Sequence, residues 1–414
     1  MKLRGYIFSG DKSLCSGCGA CVQACRHNAL QMTPDTEGFL YPELDNEKCV
    51  ECGFCDRICP VVGSNTENVD NNQHCYVATT NNNFYYQDSA SIGICTMLSK
   101  QILSKGGVVF GCYLDEASWK AYHIAIETMD ELDKIRNSKY LQSDTKKTYT
   151  VVNDLLTSGK VVLYIGTPCQ IAGLKSFLKR SYDNLYTIDI ICHGVFSPSL
   201  MPLEIKYWEN KFGGTIHNFR FRSKRVYKYI NGGMVNFDVE RNGKTIHYER
   251  HASSSPTYRC YAYSGDRMNY NIRPSCFTCN FRSIKRYGDI TVGDPWFIPN
   301  SSICHPLLKS DNPIRSLYSV NSEKGMHLNN AVNKELLEEE IPVVMAFCQP
   351  ATKKVDRMVP TKRSELFEKC KTEDYGLLVE TLLDCNLDKA QKDFVWKYRK
   401  IKVKRMLKRL VLKR

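Results

Sequence analysis

Cysteines recur at a fixed spacing in the first sixty residues, and this pattern constrains the fold of the segment more than any other feature. Two groups follow the pattern Cys-x2-Cys-x2-Cys-x3-Cys: Cys15, Cys18, Cys21 and Cys25; Cys49, Cys52, Cys55 and Cys59. Three thiolates separated by two residues can surround one side of a metal cluster from a single loop, and the fourth lies past the turn. The spacing therefore predicts that this segment folds around bound metal.

The double pattern resembles bacterial ferredoxins with two clusters, in which the fourth cysteine of each group binds the other cluster. We predict two 4Fe-4S clusters with these ligands: Cys15, Cys18, Cys21 and Cys59 for one; Cys49, Cys52, Cys55 and Cys25 for the other. Glycines between the ligands, such as Gly17 and Gly53, let backbone N–H groups approach sulfur. Zinc also binds Cys-x2-Cys pairs, but tetrahedral zinc sites explain two successive triplets poorly. One departure is Arg26, which follows Cys25 in place of proline.

The sequence contains no predicted export signal or membrane span. Mean hydropathy is −0.38, and no apolar run approaches the ~20 residues that a spanning helix needs. The N-terminus is basic but has no apolar core, so we expect a cytoplasmic protein. In that compartment, twenty cysteines indicate metal binding rather than disulfides.

Positive charge is concentrated at the C-terminal end. Net charge is +13, and residues 397–414 hold ten Lys or Arg without any Asp or Glu. The rest of the chain is nearly neutral, which argues against nucleic-acid binding. Trp396, Val403 and Leu410 recur every seven residues among the basic ones, which predicts an amphipathic helix. Such a helix suits the anionic inner face of a membrane or an acidic partner, and the alternative is a solvated helix or a disordered end.

Beyond residue 60 the pattern is that of an α/β protein. The polar stretch 61–75 predicts a linker. Short β-branched runs then alternate with helical patterns: 106–114, 160–166, 185–192 and 288–296 as strands; 94–104, 146–158 and 170–180 as helices. This alternation predicts an α/β main domain, residues 76–330, with a mostly parallel sheet and β-hairpins inserted at 217–258. A small α+β ferredoxin-like domain precedes it at 1–60, and a helical C-terminal region and a basic tail follow at 331–396 and 397–414.

A further group of cysteines lies at predicted strand ends. Cys169 follows the strand at 160–166, and Cys192 ends the strand at 185–192. Carboxyl ends of parallel strands meet at the edge where open α/β sheets form sites. If the Cys276-x2-Cys279 pair reaches that edge, four thiolates meet, and they would hold a third 4Fe-4S cluster or a zinc ion.

Five cysteines in apolar or helical surroundings are interpreted as small buried hydrophobes: Cys75, Cys95, Cys112, Cys370 and Cys385. Three more show no partner pattern: Cys260, Cys304 and Cys348.

From about residue 76 to 325 the chain resembles the family of coenzyme F420 hydrogenase/dehydrogenase beta subunits, to which 7-hydroxymethyl chlorophyll a reductase is related. Six segments carry the resemblance, in order: SASIGIC (89–95), GGVVFGC (106–112), NSKYLQSD (137–144), GTPCQIAGLKSFL (166–178), YDNLYTIDIICHGVFSPS (182–199) and RPSCFTCNFRSIKRYGDITVGDPW (273–296). The resemblance implies FAD and a third 4Fe-4S cluster on Cys169, Cys192, Cys276 and Cys279. It also implies flavin contacts by seven residues: Ser91, Gly93, Lys139, Tyr140, Gly166, Thr167 and Gln170.

Local patterns agree with part of this flavin set. Gly166 and Thr167 end a strand and open a helix, where N–H groups favour phosphate, although a simple turn is the alternative. Lys139 can offer a charge to a pyrophosphate or to the flavin ring, although a lone lysine is usually solvated. The family pattern has glycine where this chain has Ile92, whose side chain would block close approach of a phosphate. His193, beside Cys192, is a candidate proton donor to a reduced substrate or, alternatively, a hydrogen-bond donor to cluster sulfur.

These features predict an iron–sulfur flavoprotein oxidoreductase. Electrons from a ferredoxin-like protein or a deazaflavin would pass through 4Fe-4S clusters to FAD and a small organic substrate. One alternative is a non-catalytic electron-transfer subunit of a larger redox complex, and another is a zinc-stabilised binding protein. The sequence leaves open the substrate, the direction of electron flow, and whether identical chains form a homo-oligomer.

Overall fold

The computed structural model describes residues 5–63, 72–227, 233–262, 269–309, 314–354 and 356–411. Most of the predicted linker and the last three residues of the basic tail lie outside these ranges. The chain divides into two compact units, Met1–Ser199 with Ile272–Arg357 and Leu200–Asn271 with Met358–Arg414. The domain boundaries proposed from the sequence stay a prediction, because compactness alone does not test them.

Strands and helices alternate along the described chain. The strands are β1 (Leu30–Pro34), β2 (Leu40–Leu44), β3 (His74–Thr79), β4 (Val108–Asp115), β5 (Lys120–Ile126), β6 (Ser143–Asp144), β7 (Val162–Gly166), β8 (Leu185–Ile190), β9 (Thr215–Arg220), β10 (Met234–Arg241), β11 (Lys244–His251), β12 (Ile290–Gly293), β13 (Ser316–Val320) and β14 (Leu337–Ile341). The α-helices are Tyr6–Ser9, Ala20–Ala24, Phe54–Ile58, Asn83–Tyr86, Ile94–Leu103, Leu132–Ile135, Thr148–Thr157, Pro168–Leu178, Leu200–Phe212, Pro256–Ala262, Pro306–Lys309, Glu323–Asn330, Val343–Ala346, Arg363–Lys369, Tyr375–Leu382 and Leu387–Val411. The four predicted strands and the three predicted helices of the main domain are confirmed within a few residues.

The N-terminal cysteine segment folds as two halves with the same local plan. In each half a glycine in the left-handed region precedes a short helix: Gly19 (φ +78°) before Ala20–Ala24 and Gly53 (φ +65°) before Phe54–Ile58. A side chain is strained in that backbone region, so glycine is favoured there. Between the halves, β1 and β2 pair antiparallel. The repeat in sequence is therefore also a repeat in structure.

A nine-stranded mixed sheet forms the centre of the first unit. Its strand order is β14-β3-β13-β12-β8-β7-β4-β5-β6. The neighbours β12, β8, β7 and β4 are parallel, whereas β5 and the strands beyond β12 join by antiparallel pairing. The prediction of a mostly parallel sheet is wrong in this respect. Only four residues separate β4 from β5, and so short a connection permits only antiparallel pairing.

The parallel strands are buried on both faces. Val109 and Leu163 pack into one hydrophobic cluster with Ile94, Met97 and other residues of helix Ile94–Leu103. Val108 and Val162 point to the other face and pack against helices Thr148–Thr157 and Pro168–Leu178. Because both faces are covered by helices, these strands are continuous apolar runs rather than alternating patterns.

The second unit combines a three-stranded sheet with helices. Strands β9, β10 and β11 are antiparallel, and Asn242 and Gly243 close the β10–β11 hairpin with positive φ angles, as the Asn-Gly pattern predicts. The hairpins predicted at 217–258 are therefore present, but they pack in a unit with the C-terminal helices rather than extending the large sheet. Residues 331–396 are mainly helical as predicted, except that β14 joins the large sheet at its edge.

Helix Leu387–Val411 continues the helical region into the basic tail without a break. Its first half is packed: the Phe394 ring stacks on His251 with centroids 4.3 Å apart, and Gln391 accepts a hydrogen bond from the His251 N–H. Further along, Trp396, Val403 and Met406 are about half exposed. In the described part of the chain, no helix is long and apolar enough to cross a lipid bilayer.

A buried ion pair supports the strands that lead to the predicted cluster edge. Asp189 on β8 and Arg286 are both buried and lie 3.2 Å apart, and Asp189 also accepts hydrogen bonds from Thr291 on β12 and from the Tyr287 N–H. Removing one partner of such a pair leaves a buried charge without compensation.

We therefore expect Arg286→Met to lower the free energy of unfolding by about 3–5 kcal/mol, measured by urea denaturation. The matched control is Lys369→Met, which removes an exposed pair with Glu365 and should leave the free energy of unfolding nearly unchanged, because solvent screens that pair. Equal effects of the two substitutions would contradict the role given to the buried pair.

Candidate metal centre

The first predicted ligand set converges in the structure. The thiols of Cys18 and Cys21 each lie in the electrostatic field of Cys15 and of Cys59, which comes from the other cysteine group. Burial, followed by these neighbouring charges, raises the pKa of both thiols. Thiolates this close together repel one another unless positive charge lies among them, and a bound metal supplies that charge.

Backbone N–H groups point at these sulfurs. The Ala20 N–H acts on the Cys18 thiol and the Val61 N–H on the Cys59 thiol, each in the direction that lowers the pKa, and the Val62 N–H donates to the Cys59 carbonyl at 3.2 Å. Hydrogen bonds of this kind stabilise thiolates and tune the clusters that they hold. The set Cys15, Cys18, Cys21 and Cys59 therefore fits an iron–sulfur cluster.

The second predicted set lies nearer the surface. Cys52 is exposed and contributes to the electrostatic field at Cys55. Cys25 and Cys59 occupy equivalent positions, each directly after the short helix of its half. Assignment of Cys25 and Cys49 to this set stays a prediction from the spacing.

The four cysteines of the main domain also come together. Cys169 is the second residue of the helix that follows β7, and Cys192 lies two residues beyond β8, the parallel neighbour of β7. The thiol of Cys192 lies in the field of Cys276, Cys169 and Cys279. Burial and this field raise the pKa of Cys192, and the pKa of Cys169 rises to about 12 with burial as the main cause. The Cys-x2-Cys pair thus reaches the edge formed by the two strand ends.

Local geometry explains how the pair reaches that edge. The 3₁₀ turn Pro274–Cys276 presents Cys276, and the Val195 N–H donates to its sulfur. Gly194, with φ +112°, packs against the same residue, because a side-chain carbon there would lie 3.3 Å from Cys276 Cβ. The Gly194 N–H in turn donates to Cys192 Sγ at 3.4 Å. One loop, 192–195, therefore serves two of the four cysteines.

The first cysteine set and the main-domain set adjoin one another. The helix that begins with Pro168 and Cys169 packs against the Cys18 loop so closely that a side-chain carbon at Gly173 would lie 2.9 Å from Cys18 Sγ. Thr145 donates to the Cys18 carbonyl at 3.0 Å, and Ser176 donates to the Ile58 carbonyl at 2.6 Å. The two sets are near enough that Cys169 contributes to the field at Cys18.

Within the described ranges, no three His, Cys, Asp or Glu side chains are grouped so as to hold a single metal ion. Thiolates on a cubane bind four different irons, so they stand further apart than the ligands of one zinc ion, whose Zn–S bonds are about 2.3 Å. Thiols that act on one another electrostatically without converging on a single point fit this wider arrangement.

Several of the predicted flavin residues have hydrogen-bond partners within the protein. Thr167 and Gln170 form a capping box at the start of helix Pro168–Leu178, with the Thr167 N–H donating to Gln170 Oε1 at 3.0 Å. Ser91 hydrogen-bonds Asp294, and Lys139 donates to the Arg136 carbonyl at 2.5 Å. These contacts do not form a phosphate cradle, so flavin binding by this set stays a prediction.

Three other members of that set are placed by the backbone. Gly93, with φ +83°, begins helix Ile94–Leu103, and Tyr140 accepts a backbone hydrogen bond from Phe196. Gly166 is the last residue of β7. Ile92 is fully buried and its N–H donates to Ser316 Oγ at 3.2 Å. This N–H is therefore already hydrogen-bonded to the protein.

His193 lies beside the main-domain cysteines. Burial is the main cause that lowers its pKa to about 4, and Arg357, which donates to the His193 carbonyl at 2.9 Å, adds to the effect. The ring is therefore neutral at pH 7, with Trp296 at 6.1 Å between centroids. A neutral ring retains one N–H donor, and the catalytic role proposed for His193 stays a prediction.

Two residues that contact the first cysteine loop were given no role from the sequence. Arg273 and Gln142 are buried, and they hydrogen-bond each other at 3.0 Å. Both lie within conspicuous segments, RPSC and KYLQSD, and Arg273 stands three residues before Cys276. The position of Arg273 next to the predicted ligands Cys276 and Cys279 is the sequence feature that indicates a role for it.

Comparison with known families supports both cysteine regions. Residues 159–343 match the family model that describes the C terminus of the coenzyme F420 hydrogenase/dehydrogenase beta subunit. Residues 14–62 match the model of a 4Fe-4S dicluster domain. Both segments were expected from the sequence, and both expectations are confirmed. The N-terminal match supports iron–sulfur binding.

Curated relatives share part of the chain. A coenzyme F420-dependent sulfite reductase of Methanocaldococcus jannaschii is 23% identical over 257 residues, which are 56% of this chain and 38% of that protein. One subunit of the F420H2 dehydrogenase of Methanosarcina mazei is 23% identical over 199 residues, 45% of this chain and 56% of that protein. The chain therefore spans less than two thirds of either relative.

One solved structure aligns with a large part of the chain. A chain of the F420-reducing [NiFe] hydrogenase complex from Methanosarcina barkeri aligns over 71% of this chain and 91% of its own length. Sequence identity is 13% and the TM-score is 0.42.

The convergence of the main-domain cysteines gives a direct prediction. Because Cys276 belongs to a separate ligand set, Cys276→Ser should lower the iron content by about four atoms per chain, the content of one 4Fe-4S cluster. The control is Cys304→Ser at an exposed cysteine outside both sets, which should leave iron unchanged. Full iron content in Cys276→Ser, measured after anaerobic purification, would refute the assignment.

Proposed function

We propose that this chain, which carries the C-terminal domain of the coenzyme F420 hydrogenase/dehydrogenase beta subunits behind a 4Fe-4S dicluster domain, is an iron–sulfur flavoprotein oxidoreductase. In this proposal the chain conducts electrons between a protein or deazaflavin donor and a small organic substrate. The observation that carries it is the packing of the Cys18 loop against the helix that bears Cys169. Bound 4Fe-4S clusters supply one-electron transfer, and a bound FAD supplies the step to two-electron chemistry.

The residues of the chain hold, separate and insulate these groups. Cys15, Cys18, Cys21 and Cys59 hold one cluster in the interior, where Cys18 is buried. Cys25, Cys49, Cys52 and Cys55 hold another toward the surface, where Cys52 is exposed. Cys169, Cys192, Cys276 and Cys279 hold a third at the carboxyl edge of β7 and β8. The exposed set with Cys52 is suited to electron exchange with a partner. The buried set with Cys18 is suited to the exclusion of water.

The choice of donor rests on the relatives. Both curated relatives are named for coenzyme F420, a deazaflavin, as cofactor or as substrate. A deazaflavin is therefore the preferred donor or acceptor, and a ferredoxin-like protein at the Cys52 side is the other. Flavin binding rests on the family resemblance, because the capping contact between Thr167 and Gln170 does not by itself indicate a flavin.

A second candidate is an electron-transfer subunit without a substrate of its own. One relative is named as a subunit of a dehydrogenase, and this chain spans only part of it. The exposed Cys52 suits either function, so turnover by the isolated chain distinguishes the two.

Anaerobic purification followed by iron, sulfide and flavin analysis tests the proposal. We expect a coloured protein that contains FAD and equal amounts of iron and sulfide. This protein should reduce a deazaflavin or be reduced by it. Iron and sulfide without flavin or turnover would favour the electron-transfer role. A colourless protein that contains zinc and no iron would contradict both.

The basic half of helix Leu387–Val411 leads to a separate proposal, that it binds an anionic membrane surface. Its exposed apolar residues, Trp396, Val403, Met406 and Leu407, recur at helical spacing among lysines and arginines. Apolar burial combined with about 1 kcal/mol per basic residue near an anionic surface would give measurable binding.

Flotation with liposomes that contain anionic lipid tests this helix. We expect the full chain to float and the chain without residues 397–414 to remain in the dense fraction. The substitution Val403→Ser with Met406→Ser is the matched control, because it keeps every charge and should weaken flotation if apolar residues enter the bilayer. Unchanged flotation after the deletion would refute membrane binding by the tail.

A further inference from the structure

A buried arginine lies between the first cysteine set and the main-domain set. The Arg273 side chain is fully buried. Its Nε donates to the Cys15 carbonyl at 2.8 Å, its Nη1 donates to Gln142 Oε1 at 3.0 Å, and the guanidinium lies 4.0 Å from the Tyr41 ring centroid. Among the described residues, no carboxylate forms an ion pair with it. Arginine stays protonated in proteins, so this is a permanent buried cation.

Such a charge needs a counter-charge. A buried ion without a partner is strongly destabilising, and buried charges in proteins are paired or bind metals. The groups that act electrostatically on Arg273 are Cys15 of the first set, Tyr41, and Cys276 of the main-domain set. Arg273 also contributes to the field at Cys169. An anionic cluster on these cysteines would supply the counter-charge.

Two buried N–H donors, one on Arg273 and one on Gln142, have no hydrogen-bond partner among the described residues. These are Arg273 Nη2 and Gln142 Nε2. Both side chains pack on Gly17, in the loop between Cys15 and Cys18. A side-chain carbon at Gly17 would lie 2.2 Å from Gln142 Nε2 and 3.0 Å from Arg273 Cζ. Gln142 is held in place by its oxygen, which also accepts from the Leu40 N–H at 3.1 Å.

We propose that Arg273 and Gln142 are positioning residues that donate hydrogen bonds to the sulfur of the cluster held by Cys15, Cys18, Cys21 and Cys59 and raise its reduction potential. The inference rests on the proposed function only in requiring that this cluster forms. A cation and N–H donors favour the reduced, more negative form of a cluster, and a dry site screens this effect weakly. Removing the charge should therefore make the cluster harder to reduce.

The test is a redox titration of the anaerobically purified chain, followed by EPR. Arg273→Gln should make the reduction equilibrium constant of one cluster at least ten times smaller. For a one-electron couple, a tenfold change lowers the midpoint potential by about 59 mV. Arg273→Lys keeps the charge and should retain most of the potential. The matched control is Arg57→Gln, because exposed Arg57 also donates to a ligand carbonyl, that of Cys52, at 3.0 Å. Solvent screens that charge, so its removal should change the equilibrium less than twofold.

A second variant keeps the test decisive if Arg273→Gln loses iron. Gln142→Glu has the same shape and keeps the oxygen that accepts from Leu40, but it replaces the free donor with a negative oxygen. It should lower the same midpoint potential by a similar factor.

If iron-replete Arg273→Gln or Gln142→Glu has a reduction equilibrium constant within twofold of the wild-type value, the inference is overturned. An equal shift in Arg57→Gln would also overturn it. A wild-type chain without iron would overturn the proposed function as well, so the two failures are distinguishable.

Discussion

Burial of ionisable thiols close to one another is the constraint on which the rest of this structure depends. Cys18, Cys21, Cys169 and Cys192 all have raised pKa values because they are buried and because neighbouring thiols add negative charge. The two sets bring eight cysteines into one compact unit, and thiolates so close together are favourable only if cations compensate them. In the proposed function the irons of bound clusters would supply most of that charge, and Arg273 adds a buried positive charge near Cys15. The N–H groups of Ala20, Gly194 and Val195 add smaller contributions.

The mixed sheet gives this arrangement its rigid base. Strands β7 and β8 are buried on both faces and end side by side, so the segments after them start from fixed positions. The Asp189–Arg286 pair joins β8 to the segment that follows the Cys-x2-Cys pair. The N-terminal repeat then docks on helix Pro168–Leu178, where Gly173 permits the close approach of Cys18. Each ligand set therefore depends on long-range packing as well as on its own loop.

Much of this was predictable because it is written in local patterns. The spacing of the N-terminal cysteines fixes their loop geometry, and β-branched runs located the central strands within a few residues. The mixed character of the sheet was missed, because the direction of a neighbouring strand depends on connections such as the short turn between β4 and β5. The docking of the two cysteine sets was also missed. Gly173, Gln142 and Arg273 are all more than a hundred positions away from Cys18 along the chain, and no local pattern reports such contacts.

The central claim is that the first cysteine set and the main-domain set hold neighbouring clusters. The most direct measurement is EPR of the fully reduced chain, because unpaired spins on neighbouring clusters interact. We expect a spectrum broadened by spin–spin interaction, and we expect the part of the broadening that comes from the main-domain cluster to disappear when Cys192 is replaced by serine. A spectrum that is the simple sum of isolated clusters, and in which the remaining signals are unchanged by that replacement, would contradict it.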